Sequence, residues 1–423
     1  MSTGQGAQPI RRSRDAETEA AATAKRAPDG EAPEPGLAGD AVSDSGRTVS
    51  DPDAAAIWNR LARKADLRAK AGLTRTARPR STAIDLAGND YLGLSRHPGV
   101  LTAAAAALAE HGLGAGGSRL VRGTTGLHEA FEADFARHTG TETAVLYSSG
   151  YLANLGAVAA LAGPVLLDAH AHASLHDAAR LSGGRSDTFA HNDLEDLEHR
   201  LRTLRPALVA VESVYSVLGD AAPLRELHAL TSAHGALLLV DEAHAIGTIG
   251  PQGAGGVAAA GLAGDPGIVL TATLSKALGA AGGVIAGPAV LRRHLHDTGR
   301  TFIYDTAPPP AVIAGAGAAL AIARESDSAR TELVRRAARA AKLLDAPIPA
   351  AGVLSPPAGD ARAAAAWAER CAAEGIAVGC FRPPSTPDHR SRLRITVNTG
   401  VPAADFERAL DVIEATRPAP EVG

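Results

Sequence analysis

Between about residues 140 and 290, short and almost wholly apolar runs alternate with Ala/Leu-rich stretches of helical spacing and with turn residues. The runs at 144–148, 165–168, 187–191, 208–212, 236–241, 268–271 and 283–286 are predicted as strands. Several are apolar at nearly every position, the pattern of strands covered by helices on both faces. Strand–helix alternation of this kind implies a mostly parallel, seven-stranded sheet in an α/β architecture. Upstream, Ile57, Leu61, Ala65 and Leu67 recur among charges and predict a helix over 54–70. Downstream, a helix is predicted over 310–324. Ala/Arg-rich helical stretches then frame shorter strand-like runs at 352–354, 377–381 and 393–397, the pattern of a smaller α+β domain. The expected division is a tail over 1–52, a helical segment over 53–100, a large α/β domain over 101–309 and a C-terminal α+β domain over 310–423.

Composition narrows the classes. The 423 residues are 45% hydrophobic and carry a formal net charge of −4. So balanced a charge gives no reason to expect a nucleic-acid or anionic membrane partner. Cys371 and Cys380 are the only cysteines, which excludes a disulfide framework and a four-cysteine zinc site. No apolar run approaches the roughly 20 residues of a membrane helix, and no apolar stretch follows Met1. A cytoplasmic protein is expected. The first 52 residues are Ala, Gly, Pro, Ser and charge with scattered aliphatics, too little apolar surface to offset the entropy of ordering, so disorder is expected there.

Three motifs mislead. Gly112 to Gly117 spells G-x-G-x-x-G, but follows a helical stretch where a dinucleotide fingerprint follows a strand. Asp241-Glu242-Ala243-His244 spells a helicase box, yet none of the five lysines sits in a phosphate-binding loop. His170, His172 and His176 lack the Glu or Cys of a zinc site, and no metal is expected.

The lysines themselves are informative. Four lie in the tail or in charged helical stretches; Lys276 lies between two apolar runs, where a lysine is rare unless paired or chemically used. Desolvation there lowers an amine's pKa and makes it a nucleophile or base. Asp241 ends an apolar run 35 residues upstream. Strand-end groups of parallel sheets gather around ligands. A lysine that forms an imine and an acid that holds a pyridinium nitrogen are the pair that pyridoxal phosphate requires. A buried Asp–Lys salt bridge is the plain alternative for these two residues alone.

The order of motifs extends that reading. Asn89-Asp90-Tyr91-Leu92-Gly93-Leu94, Gly117-Ser118-Arg119-Leu120-Val121, Gly126-Leu127-His128 and Ser148-Ser149-Gly150-Tyr151 with Asn154 come first. His172-Ala173-Ser174, Asp241-Glu242-Ala243-His244, Thr273 to Gly279, Gly379 to Pro384 and Ser391-Arg392-Leu393-Arg394 follow. Over residues 58–416 the chain resembles the α-oxoamine synthases, fold-type I pyridoxal-phosphate enzymes. It looks most like the branch that joins L-alanine to pimeloyl-CoA, or to a pimeloyl-carrier protein, in biotin biosynthesis. The resemblance implies that Lys276 holds the cofactor and acts as base, Asp241 pairs with the pyridine nitrogen, His244 bonds the phenolic oxygen and His172 stacks on the ring. It places Ser216 at a cofactor-contacting serine. Gly150 and Tyr151 would bind the phosphate through backbone N–H groups at a helix start, with hydroxyls from Thr273 and Ser275. Arg394 would clamp the amino-acid carboxylate, and Asn89, Arg382 and Ser385 would contact substrate. A homodimer is implied. Three departures stand out: Leu218 and Ala245 replace an acid and a glycine common in the family, and an early substrate arginine aligns with Thr74, next to Arg75. They leave open a relative using another amino acid or thioester, such as glycine with a short-chain acyl-CoA. A fold-type I aminotransferase is a further alternative. Single residues have plain readings too: His128 and His234 as surface or capping residues, Tyr151 as core, and Arg392 as a solvated neighbour of Arg394.

Overall fold

The computed structural model describes residues 52–418 apart from 78, 81, 82 and 162; the tail expected over 1–52 falls, but for Pro52, outside them. Contacts divide the chain between Arg63 and Lys64. A helix spans Pro52–Lys70, and every described strand lies beyond that division. In chain order the strands are β1 (Ile84–Leu86), β2 (Thr143–Tyr147), β3 (Val165–Asp168), β4 (Ser186–Phe189), β5 (Leu208–Glu212), β6 (Leu237–Asp241), β7 (Ile268–Thr273), β8 (Gly283–Gly287), β9 (Val353–Leu354), β10 (Ile376–Phe381) and β11 (Arg392–Thr396).

Seven strands form one sheet in the order β2-β8-β7-β6-β5-β3-β4. Pairing is parallel from β4 through β7, and β8 runs antiparallel to both neighbours. This is the α/β sheet expected from the alternating runs. Strands β3, β5, β7 and β8 are buried along their whole length, as double helical cover requires. The sheet edge departs from expectation. β4 stops at Phe189 rather than 191, and Ser186, Asp187 and Thr188 are exposed.

The remaining four strands form a second sheet, β1-β10-β11-β9. Its first member is a three-residue strand that the sequence pattern does not predict, paired parallel to β10 through Ile84–Ile376, Asp85–Ala377 and Leu86–Val378. Leu86 is fully buried and packs in one continuous core with Trp367, Leu393, Phe406 and Leu410, and that core also holds Leu270, Leu274 and Leu278 beside β7.

Candidate active site

The carboxyl ends of β3, β5, β6 and β7 point at one region, which Arg394, in the middle of β11, and the segment after β1 also face. They enclose a cavity of about 720 Å³. Around it the structure brings together Asn89, His172, Ser216, His244, Lys276, Ser385 and Arg394, seven of the residues singled out from sequence.

Lys276 follows β7 in a turn closed by Gly279 at φ 61°, where a Cβ would stand 2.3 Å from the Ser95 nitrogen. Only glycine fits there. The Lys276 side chain is buried, and desolvation pulls its pKa down to about 8, although Asp241 and Glu212 resist the shift. Its Nζ lies 2.7 Å from His244 Nε2. An ammonium has only donors, so His244 Nε2 accepts and its Nδ1 carries the proton. That N–H donates to the Tyr91 oxygen at 2.6 Å. Tyr91 in turn donates to Asn89 Oδ1 at 3.4 Å, and Arg394 Nη2 donates to the same oxygen at 3.1 Å. One hydrogen-bonded chain therefore runs from Lys276 to Arg394. Burial, then the Lys276 charge, pushes His244 well below the ordinary histidine range, so it stays neutral. Tyr91, fully buried, is pushed up and keeps its proton.

A second chain starts at Asp241, the last residue of β6. Its carboxylate accepts from the Ala243 N–H at 2.9 Å and from Asn154 Nδ2 at 2.8 Å. Asn154 also donates to Ser174 Oγ at 2.8 Å, and Ser174 Oγ lies 2.7 Å from His172 Nδ1. Because His172 Nδ1 also caps the Ser174 N–H of helix Ala173–Leu181, it is the acceptor. The acid at the strand end and the imidazole at the cavity wall are thereby held by one amide.

Below Ser216 lies Glu212, buried at the end of β5. It accepts from the Ser216 N–H at 3.1 Å and the Ser216 hydroxyl at 3.3 Å, and burial followed by the Asp241 charge pushes its pKa well up. Arg394 is fixed by the Ser216 carbonyl at 2.9 Å and Thr396 Oγ1 at 3.0 Å, and its guanidinium lies over the Phe381 ring. Among the described residues no acid lies within ion-pair distance of it. Its pKa is pulled down chiefly by burial.

Helix Gly150–Leu161 opens directly after β2. A Cβ on Gly150 would stand 2.9 Å from Thr273 Cβ, so the helix start touches the Thr273–Ser275 hydroxyl pair, whose oxygens are 2.8 Å apart. Backbone N–H groups, hydroxyls and no intervening side chain are what a phosphate dianion requires. Together with the Asp241 carboxylate and the desolvated Lys276 amine, this cradle fits pyridoxal phosphate.

Other residues fall elsewhere than expected. Arg382 is not at the cavity wall: it donates to the Gly72 and Thr74 carbonyls and so holds the segment carrying Arg75. Arg75 does line the cavity, and its Nη2 donates to Ser385 Oγ at 2.7 Å. Tyr151 is not core; it is half-exposed and donates to Asp177 at 2.9 Å. Arg392 is not solvated, being tied to Asp388 and to the Ser355 carbonyl. His234, an exposed helix C-cap, and His128, in a capping box with Thr125, are the capping residues expected, although His128 is wholly buried and reaches the Pro308 carbonyl. Ala245 is fully buried against Val214 and Ala351, so its extra methyl fills apolar space. No described histidine, cysteine, aspartate or glutamate belongs to a group of three placed to hold a metal. No helix among the described residues is long and apolar enough to cross a membrane.

Comparison with known proteins agrees with this geometry. The family model for aminotransferase class I and II matches residues 81–413. An 8-amino-7-oxononanoate synthase of Mycobacterium sp. (strain JLS) is 46% identical over 84% of this chain and 96% of its own. That of Mycolicibacterium smegmatis is 49% identical over 80% and 91%. Among solved structures, a variant serine palmitoyltransferase from S. paucimobilis with a bound PLP–myriocin aldimine superposes with a TM-score of 0.78 at 30% identity, covering 85% of this chain and 97% of that one. The 8-amino-7-oxononanoate synthase of Francisella tularensis, at 24% identity and a TM-score of 0.69, shares the fold over 79% of this chain and 97% of that one. The chain belongs to the aminotransferase class I and II family and, within it, groups with the 8-amino-7-oxononanoate synthases.

Proposed function

We propose that the protein uses pyridoxal phosphate to condense L-alanine with a pimeloyl thioester, giving 8-amino-7-oxononanoate with loss of CO2 and of the thiol. The observation that carries this reading is a desolvated lysine and a buried arginine, without an ion-pair partner among the described residues, on one cavity, joined by a hydrogen-bonded chain through His244, Tyr91 and Asn89. Such a cavity binds a carboxylate at one end and moves a proton at the other.

Lys276, Asp241, His244, His172 and Ser216 would hold the cofactor, with the start of helix Gly150–Leu161 and the Thr273–Ser275 pair on its phosphate. When bound, it supplies an electron sink for the pair left at an amino acid's α-carbon. The chain's own groups do the rest. Arg394 orients the substrate carboxylate by a charge-assisted pair. The Lys276 amine, partly neutral near pH 8, takes the α-proton. Asp241, braced by Asn154, would pair with the cofactor's ring nitrogen. Neutral His244 accepts from Lys276 and donates to Tyr91, so its position follows theirs. Arg75, on the wall with Ser385, meets the acyl donor. In balance, a carbon–carbon bond forms at the thioester carbonyl as the carbon–sulfur bond breaks and the thiolate leaves, taking a proton from solvent; the carbon–carboxylate bond then breaks to release CO2, and the same carbon gains a C–H bond with the proton that Lys276 returns.

The exposed apolar Leu120, Val121 and Tyr304 support a homodimer, since the 117–123 loop and the 304–307 segment are joined by the bond from Ala307 N to the Gly117 carbonyl. Sedimentation of the full chain tests that. Activity is tested by thiol release from pimeloyl-CoA with L-alanine, glycine or L-serine in parallel. Release with alanine alone is expected. Release with serine or glycine alone would move the assignment to another α-oxoamine synthase, and 2-oxo acid turnover without thiol release to an aminotransferase.

A further inference from the structure

Behind the cavity wall, on the side of β3 and β4, sits an imidazole used by none of the chemistry above. His191 follows β4. Its Nδ1 lies 2.9 Å from Asp168 at the end of β3, and its Nε2 lies 2.8 Å from Asp220 in the loop after β5. The two carboxylates therefore meet opposite edges of one ring. Both ring nitrogens can donate only when the ring is an imidazolium. The His170 ring stacks on it at 3.8 Å and 15°, and Tyr215 meets it edge-on at 4.4 Å. Asn192 reinforces the same bridge: its N–H donates to Asp168 at 3.0 Å and its side chain to Asp220 at 3.0 Å.

The position of the bridge gives it a consequence. Asp168 also accepts from the His170 N–H at 2.7 Å and so shapes the four-residue path to His172. Asp220 accepts from His191 while its carbonyl accepts from the Tyr215 N–H at 2.9 Å, closing the loop that carries Ser216. In that loop, from Ser213 to Ala221, Asp220 is the only carboxylate, since Leu218 stands two residues before it. No other ion pair joins the two strand-end loops among the described residues.

We propose that Asp168–His191–Asp220 is a positioning clamp: one imidazolium between two carboxylates fixes the loops that place His172 and Ser216 against the cofactor. This rests on the assignment of pyridoxal phosphate to the site. The His191 pKa is pushed up to about 9 because the hydrogen bonds and charges of Asp168 and Asp220 together outweigh its burial. Burial and the His191 charge hold His170 below the ordinary range, and burial chiefly keeps Tyr215 protonated. His191 is thus the cation of the group at neutral pH.

The test uses the full chain and its variants His191→Ala and Asp220→Asn, with far-UV circular dichroism to establish folding. Pyridoxal phosphate is titrated, and the visible circular dichroism of the saturated protein, which reports cofactor orientation, is recorded. His191→Ala is expected to weaken cofactor binding about tenfold, the effect of one charge-assisted hydrogen bond. Both variants are expected to alter the visible dichroism at saturation, a signature that general loss of stability does not produce. Should His191→Ala fail to fold, the isosteric Asp220→Asn decides. A folded variant with parental affinity and parental dichroism overturns the clamp. Failure of the parent chain to bind pyridoxal phosphate would instead overturn the cofactor assignment.

Discussion

Replacing Tyr91 by Phe removes one oxygen from the middle of the chain linking Lys276 to Arg394. The ring is expected to stay, because it packs against the Gly352 backbone, where a Cβ would stand 2.8 Å from Tyr91 Cδ1. The change therefore isolates the hydroxyl. In the parent, that oxygen accepts from His244 Nδ1 at 2.6 Å, and His244 is buried. Without it the Nδ1–H has no partner, at a cost of about 1–3 kcal/mol. The imidazole can escape by moving its proton to Nε2, which then faces Lys276 and requires an acceptor there. A neutral amine accepts and an ammonium does not. Part of the cost thus becomes a lower Lys276 pKa, about one unit for each 1.36 kcal/mol so converted. Two measurements check this: guanidinium unfolding of the cofactor-free chain, expected to lose about 1–3 kcal/mol, and the acid limb of turnover, expected to move below pH 8. Parental stability with an unmoved acid limb would refute the hydrogen-bonded chain as described.

Arg394→Lys keeps the charge but loses the planar fork, and is expected to raise the KM for the amino acid about tenfold or more with the cofactor still bound; an unchanged KM would remove Arg394 from substrate binding. Gly150→Ala places a methyl 2.9 Å from Thr273 Cβ, so cofactor affinity should fall, as measured by titration, while the amino-acid KM changes little. For the cofactor-free chain, Lys276 holds its proton to about its ordinary 10.5 when unfolded but releases it near 8 when folded. Between those values the unfolded state binds more protons, so this group makes stability rise with pH. His191, raised to about 9 from 6.5, does the reverse, its contribution fading between pH 6.5 and 9. Denaturant midpoints across pH 6.5–10.5 should therefore lose their alkaline rise in Lys276→Met and their earlier fall in His191→Ala.

The parallel sheet was legible because buried strands must be apolar on both faces, and Lys276 and Asp241 stood out as charges ending such runs. Glu212 carries the same signal, a lone acid ending the run at 208–212, and could have been found by it. Tyr91 and Asn154 stand in the motifs quoted above, but their roles could not be read there: each acts through hydrogen bonds to residues far away in the chain, Tyr91 to His244 and Asn154 to Asp241. A single sequence does not display such pairs. β1 was missed because three residues with one buried side chain show no period. Arg382 and Arg75 differ for a related reason. Both are basic residues beside turns, and only the fold shows that one braces the segment from which the other reaches the wall.

The parallel pairing of β1 with β10 has a further consequence, for the order of events during synthesis. Nearly 300 residues separate Ile84 from its partner Ile376, and closing so long a loop carries an entropic cost that contacts made within it must first offset. The lysine, its strand-end acid and the phosphate cradle all lie between residues 150 and 276 and can assemble while the ribosome is still extending the chain. Arg394 cannot join them until β11 emerges and pairs with β10, the strand on which β1 and the Asn89 segment after it are registered. A nascent chain therefore carries the lysine and its strand-end acid before it carries the arginine, and premature termination near residue 375 strips Leu393, Phe406 and Leu410 from the core that also holds Leu274 and Leu278 on either side of Lys276.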